Sequence, residues 1–230
     1  MEFSGDYNPK EFCWRDLELL TDFFSEENFI GKINFGKVYR GKTQQGQQVT
    51  VKIWLHQPDE RDCYPSDKDY CLTRLVSEGI FLSDPDVIHH PNLVKLMGCC
   101  CEVEYGHFGV VYDLRSKDTL LNLIDKDDLT WTQRVKVALD IARLVEHLHH
   151  HKPPYVLHFT HPALIMLDQD YNPVLFDFFN LSGGAVGDKQ LSSYSDMFTF
   201  SQGYRGYIDV NFLMTGQSWN SFSAEEFLAF

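Results

Sequence analysis

The spacing of apolar residues changes character along this chain. Residues 12–24, FCWRDLELLTDFF, put Leu17, Leu20 and Phe23 or Phe24 on one side of a short amphipathic helix. FIGKINFGKVYRGKT, residues 29–43, then breaks into two short runs punctuated by glycine, which predicts a hairpin. VTVKIW, residues 49–54, reads as a strand rich in β-branched residues with one lysine inside it. HQPDERDCYPSDKD, residues 56–69, is polar and proline-containing, hence a loop. Helical spacing returns over 72–82, and two further strands are expected at 93–103 and 107–114.

Beyond residue 114 the pattern turns helical. Thr130 and Gln133 form a T-x-x-Q capping box, the reciprocal pairing that opens a helix. The helix runs to about His150, with Val135, Ala138, Ile141, Ala142, Val145 and Leu148 as its apolar stripe. Two short strands, LIML and VLFDF, then flank a turn between Asp168 and Pro173. These elements predict an α+β protein of two lobes with a cleft between them. It divides into an N-terminal extension with a short helix (1–28), a β-rich lobe with one helix (29–114) and an α-rich part (115–230).

Composition narrows the function. The chain has 230 residues, 43% of them hydrophobic, and a formal charge of -13, so it lacks the basic footprint that a phosphate backbone requires. No apolar run reaches membrane-spanning length. The first residues carry neither a basic nor an apolar leader segment, and Glu2 stands where myristoylation needs glycine, so neither signal is expected. The six cysteines include the triplet Cys99-Cys100-Cys101, whose neighbours point to opposite faces of a strand. They read as reduced thiols of a cytosolic protein. His89-His90 and His149-His150-His151 lack a C-x-x-C partner, so no zinc site is read from spacing, and the second cluster reads as a helix C-terminus. Asp168, Asp170 and Asn172 alternate like calcium ligands, but Pro173 and Phe179 stand where that loop needs its glycine and its glutamate. Residues 170–173 are therefore expected as a solvated β-turn.

A glycine hairpin, a strand lysine, a helix glutamate and an Asp-Phe near a β-turn, in that order, resemble the protein-kinase domain. The likeness is to plant receptor-like and receptor-like cytoplasmic kinases. It is carried by GKINFGKVYRG, VTVKIW, HHPNLVKLMGCC, WTQRVKVALDIA and GYRGYIDVNFLMTGQ, and it extends from about Phe24 to Phe230. The resemblance implies a kinase-like N-lobe over 29–114 and a partial C-lobe over 115–230. It implies nucleotide contacts from Gly31, Gly36, Val38, Lys52, Tyr112 and Asp113, pairing of Lys52 with Glu78, and magnesium binding by Asp177. Lys52 and Glu78 are open to a second reading, because a lysine inside an apolar strand needs a counter-charge whether or not nucleotide binds.

Other positions depart from that pattern. Ile33 stands where the glycine loop has its second glycine, and Phe179 replaces the glycine after Asp177-Phe178. The catalytic loop of the family reads H-R-D followed by lysine and asparagine. Here it reads His158-Phe159-Thr160-His161-Pro162-Ala163-Leu164, one residue short, with Thr160 nearest the catalytic acid and Leu164 at the second magnesium ligand. Residues 147–167 contain no Asp or Glu, so no register supplies a carboxylate. The acid orients the hydroxyl and accepts its proton, and losing such a base costs roughly 10²–10⁴-fold. His161 is the alternative base, and otherwise a solvated loop histidine. Val210 and Asn211 replace Pro and Glu in the G-Y-x-D-P-E stretch. The chain stops after a second capping box, Ser223–Glu226, so it reads either as a fragment or as a half-lobe covered by a partner.

The expectation is a pseudokinase: a signalling scaffold or adaptor, with ATP and Mg2+ held weakly or not at all. Its partners would be an active kinase or signalling and immune-receptor proteins. It would be cytoplasmic, or peripheral to the plasma membrane through a partner. The alternatives are a weakly active Ser/Thr kinase and a non-functional truncated kinase product.

Overall fold

The structure is a computed structural model and describes residues 9–33, 36–54, 68–157, 161–178 and 181–187. In chain order the elements are β1 (Lys10–Glu11), α1 (Trp14–Leu20), β2 (Phe29–Ile33), β3 (Gly36–Lys42), β4 (Gln48–Trp54), α2 (Lys68–Leu82), β5 (Leu96–Glu102) and β6 (His107–Tyr112). There follow β7 (Ser116–Thr119), α3 (Leu120–Asp125), α4 (Trp131–His150), β8 (Tyr155–Leu157), a 3-10 turn (Pro162–Leu164), β9 (Ile165–Asp168), β10 (Pro173–Leu175) and β11 (Leu181–Gly183). This is the expected α+β arrangement, with a β-rich first part and a helical part that is incomplete among the described residues.

One sheet of order β1-β5-β6-β4-β3-β2 organises the first half. Its two faces follow from period-2 alternation in β4. Val49, Val51 and Ile53 join Leu17, Tyr39 and Val111 in a core beneath α1. The intervening Thr50, Lys52 and Trp54 turn to the other face, where Trp54 joins a larger core shared with α2, α4, β9 and β10. That parity aims the lysine inward. The later strands form two small sheets, β10-β9-β7 and β11-β8.

The helix expected over 12–24 is confined to Trp14–Leu20. The Thr21 hydroxyl donates to the Leu17 carbonyl at 2.7 Å, and Asp22, Phe23 and Phe24 then take positive φ values. Leu17 is buried as expected, whereas Phe23 points to solvent and Phe24 packs on Trp14 and Tyr39. The N-terminal residues also add an edge strand, since Lys10 and Glu11 pair in parallel with Gly98 and Cys99. The expected loop 56–69 lies outside the described residues except for its last two positions, which are helical. The strand expected from residue 93 begins at Leu96. Leu93 and Val94 instead meet Leu175 through a parallel bridge and a 3.2 Å backbone hydrogen bond.

The capping box that opens α4 is present: Gln133 N–H donates to the Thr130 hydroxyl and Thr130 N–H donates to the Gln133 side chain. The stripe has a different phase. Val137, Ile141, Leu144 and Leu148 are buried, while Val135 and Ala138 are exposed. The buried set keeps the i, i+4, i+7, i+11 spacing of one helix face. The Asp168–Pro173 turn is organised by Asp168, whose carboxylate accepts N–H bonds from Asp170, Asn172 and the Asn172 side chain, each at 2.8 Å. Lys136 donates to the Asn172 side-chain oxygen at 2.7 Å. The side-chain oxygens of Asp168 and Asn172 are thus taken up by the chain itself. Strand β10 ends at Leu175, so Phe176–Phe178 of the expected strand VLFDF lie beyond it.

Candidate functional site

The site forms where β4, α2, β6 and residues 176–178 meet. Lys52 has no solvent exposure at all. Its ammonium lies 2.6 Å from Glu78 Oε2 and donates to the Phe176 carbonyl at 3.0 Å, with Asp177 Oδ2 at 3.7 Å. An ammonium has three protons to donate; Glu78 and the Phe176 carbonyl accept two of them, and Asp177 stands further off as a counter-charge. Trp54, Tyr112 and Phe178 surround the charge, with ring centroids at 5.0, 5.4 and 5.8 Å. Such faces attract cations.

Glu78 is held from its other side by Tyr112, whose hydroxyl donates to Glu78 Oε1 and lies 3.2 Å from the Phe176 carbonyl. Burial pushes the Glu78 carboxyl above its ordinary value, and the charge and hydrogen bond of Lys52 pull against that rise. Burial, then the negative charge of Glu78, holds the Tyr112 phenol well above its ordinary value. Phe178 packs on Phe81 of α2 with centroids 4.8 Å apart, so the helix that carries Glu78 and the segment that carries Asp177 are joined by an aromatic contact as well as by charge.

Strands β3 and β4 are also tied to the segment after β6. Thr50, two residues before Lys52 on the same face, donates to the Leu114 carbonyl at 2.8 Å and lies 3.0 Å from the Ser116 hydroxyl. Arg40 of β3 donates to the Lys117 carbonyl, and the Asn122 side chain of α3 donates to the Ile30 carbonyl at 3.2 Å. The hairpin β2–β3 is thereby bonded to the segment that follows Tyr112.

The sequence-derived positions fall around this centre in distinct ways. Val38 sits opposite Lys52 in the β3–β4 register and is buried. Gly36 has an evident packing reason, since a Cβ there would lie 2.1 Å from the Ile53 carbonyl oxygen. A Cβ on Gly31 would meet nothing within 4 Å, so that glycine has no such explanation. Asp113 is exposed and accepts a hydrogen bond from Gln47 at 2.8 Å. Leu164, expected from the resemblance at the position of the second magnesium ligand, is buried in the core. His161 is not a solvated loop histidine: it is buried, and its Nδ1 accepts the Ala163 N–H at 3.1 Å, capping the 3-10 turn. Burial lowers its pKa below the ordinary 6.5. His158, Thr160, Phe179, Val210, Asn211 and Ser223–Glu226 lie outside the described residues.

Sequence reasoning missed three parts of this site. The Phe176 carbonyl is a backbone group and leaves no trace in residue type. The Tyr112–Glu78 bond joins positions 34 apart in the chain. Thr50 and Trp54 were open to detection, because they share the parity of Lys52 on one strand.

Comparison with known proteins gives the family of this chain. The profile of the family described as "Protein tyrosine and serine/threonine kinase" matches residues 24–158, more than half of the chain. Wall-associated receptor kinase-like 14 of Arabidopsis thaliana is 31% identical over 92% of this chain and 27% of its own length. The LRR receptor kinase SERK2 of Oryza sativa subsp. japonica is 32% identical over 91% of this chain and 32% of its own length. The EPD1-interacting receptor-like cytoplasmic serine/threonine-protein kinase 5A of Gossypium barbadense is 31% identical over 89% of this chain and 42% of its own length. The chain therefore spans well under two thirds of each of these relatives. No helix among the described residues is long and apolar enough to cross a membrane.

Proposed function

Because the chain belongs to the protein tyrosine and serine/threonine kinase family, we propose that it is a catalytically impaired member, a pseudokinase, that acts by binding other signalling proteins. The observation that carries this reading is the stretch 147–167, which has no carboxylate to orient or deprotonate an incoming hydroxyl. The buried, apolar Leu164 at the position of the second magnesium ligand supports it. The Lys52 ammonium, buried against Glu78, the Phe176 carbonyl and Asp177, bears on nucleotide binding rather than on the missing base. A phosphate entering the cleft has to displace interactions that the chain satisfies by itself. On this reading Lys52 and Glu78 act first as a structural ion pair that fixes α2 against the sheet, and nucleotide binding is weak or absent.

The partners fit the kinds of proteins to which this chain is similar: an active kinase, or a receptor complex at the plasma membrane reached from the cytoplasm. The divisions at residues 28 and 114 are part of the same proposal, with an extension, a kinase-like N-lobe and a partial C-lobe. A second reading, a weak Ser/Thr kinase, is favoured by the assembled Lys52–Glu78–Asp177 set.

Occupancy of the cleft tests the proposal. Thermal melts of the purified chain with and without millimolar Mg-ATP should coincide, because a ligand raises Tm only when it binds the folded state. A rise that disappears in Lys52→Arg would show that nucleotide is held and would favour the second reading.

A further inference from the structure

The turn after α2 meets the end of α4. Asp84 and Asp86 come from the turn and His151 from the residue that closes α4. Their ligand atoms all lie within 4.8 Å of one another. His151 Nε2 is 3.1 Å from Asp84 Oδ2 and 3.9 Å from Asp86 Oδ2. The residues are 65 to 67 positions apart, which is why the histidine cluster could not be matched with partners by spacing.

The orientation of the imidazole is fixed from outside the trio. His151 Nδ1 lies 2.6 Å from the Pro153 carbonyl. A carbonyl only accepts, so Nδ1–H donates to it and Nε2 is the ring atom turned towards the two carboxylates. Asp84 is oriented as well: its Oδ2 accepts the Tyr155 hydroxyl at 2.6 Å and its Oδ1 accepts the Asp86 N–H at 3.0 Å. A backbone carbonyl on the far nitrogen of the histidine and a hydroxyl on the carboxylate are the outer contacts that metal ligands carry. The imidazole and Asp84 are nearly buried, whereas the Asp86 side chain is 84% exposed. The trio therefore has two ligands held by outer contacts and one that faces solvent, which leaves the trio open to an ion from that side.

We propose that Asp84, Asp86 and His151 form a binding site for a divalent transition-metal cation of the zinc class. One imidazole nitrogen and two carboxylate oxygens suit a borderline cation that takes about four ligands near 2.0–2.2 Å. They do not suit calcium, which takes six to eight oxygens. Two donors 3.1 Å apart can share such an ion with little movement, and Asp86 closes on it by rotating its exposed side chain. The bound ion fastens the turn after α2 to the end of α4. It thereby steadies the helix that carries Glu78, but the site is separate from the nucleotide cleft and does not depend on how that cleft is read.

The test is titration of the full chain with zinc chloride by calorimetry in a non-chelating buffer, with parallel melts. The wild type is expected to bind a zinc equivalent and to melt several degrees higher, while magnesium chloride does neither. Asp86→Asn changes only an exposed side chain, so it folds, and it should weaken that equivalent tenfold or more. His151→Ala should remove it, and the control His149→Ala/His150→Ala should retain it. No zinc-dependent rise in the wild type, or a titration unchanged in Asp86→Asn, overturns the proposal. Should His151→Ala fail to fold, the Asp86→Asn comparison decides alone.

Discussion

Lys52 is an ammonium that water does not reach. Removing one partner of a buried pair leaves the other uncompensated, at a cost of about 3–5 kcal/mol. Lys52→Met should therefore lower Tm by roughly 10 °C, given about 2–4 °C per kcal/mol for a chain of this size. Lys52→Met/Glu78→Leu should be less destabilised than the sum of its single variants, since neither charge is then stranded. Denaturant titration of the four proteins measures that coupling, and strict additivity would show that the pair is not a unit. A second residue-scale prediction concerns acid. Burial is the largest cause holding His90, His149 and His161 below their ordinary 6.5. Below pH 6.5 the unfolded chain binds protons that these folded sites refuse, so stability rises with pH in that window and falls as pH drops. Glu78, shifted upward, works in the opposite sense. The effect of one histidine is isolated by His161→Asn, because asparagine can cap the 3-10 turn without titrating. Its unfolding midpoint should fall less than that of the wild type between pH 7 and pH 5.5. Equal falls would refute a role for His161.

At the scale of elements, Gly31 and Gly36 separate packing from ligand approach. Gly36→Ala puts a methyl 2.1 Å from the Ile53 carbonyl oxygen, a contact that only backbone movement can relieve. Gly31→Ala meets nothing within 4 Å. Melts should show a clear loss for Gly36→Ala and almost none for Gly31→Ala. Equal losses would mean that the hairpin is under another constraint. Thr130→Ala should cost about 1 kcal/mol through loss of the α4 cap. That cap was legible because it rests on two side chains three residues apart. The strands β2, β3, β4 and β6 were legible because alternation and glycine punctuation are local signals. The phase of α4 was not: Val135 and Ala138 are as apolar as the residues that became buried, and only packing on β8 and β10 selects Val137, Ile141, Leu144 and Leu148. The edge strand β1 was illegible for a related reason, since Lys10 and Glu11 pair through backbone groups alone. At the candidate site, Lys52, Glu78 and Asp177 were readable as an ordered set of charges. The Phe176 carbonyl and the tie from Asn122 to Ile30 were not, because they depend on where the backbone runs.

At the scale of the whole molecule, the described chain keeps the kinase arrangement of sheet, helix and ion pair while its 147–167 stretch lacks an acid. The assembled pair holds α2 against β4 through a buried contact between Lys52 and Glu78 that needs no nucleotide. The measurement that tests this most directly is transfer of radiolabelled phosphate from Mg-ATP to a generic protein substrate by the purified chain, with Lys52→Arg run beside it. The two proteins are expected to give the same background incorporation. Repeated turnover by the wild type that is lost in Lys52→Arg would contradict the account.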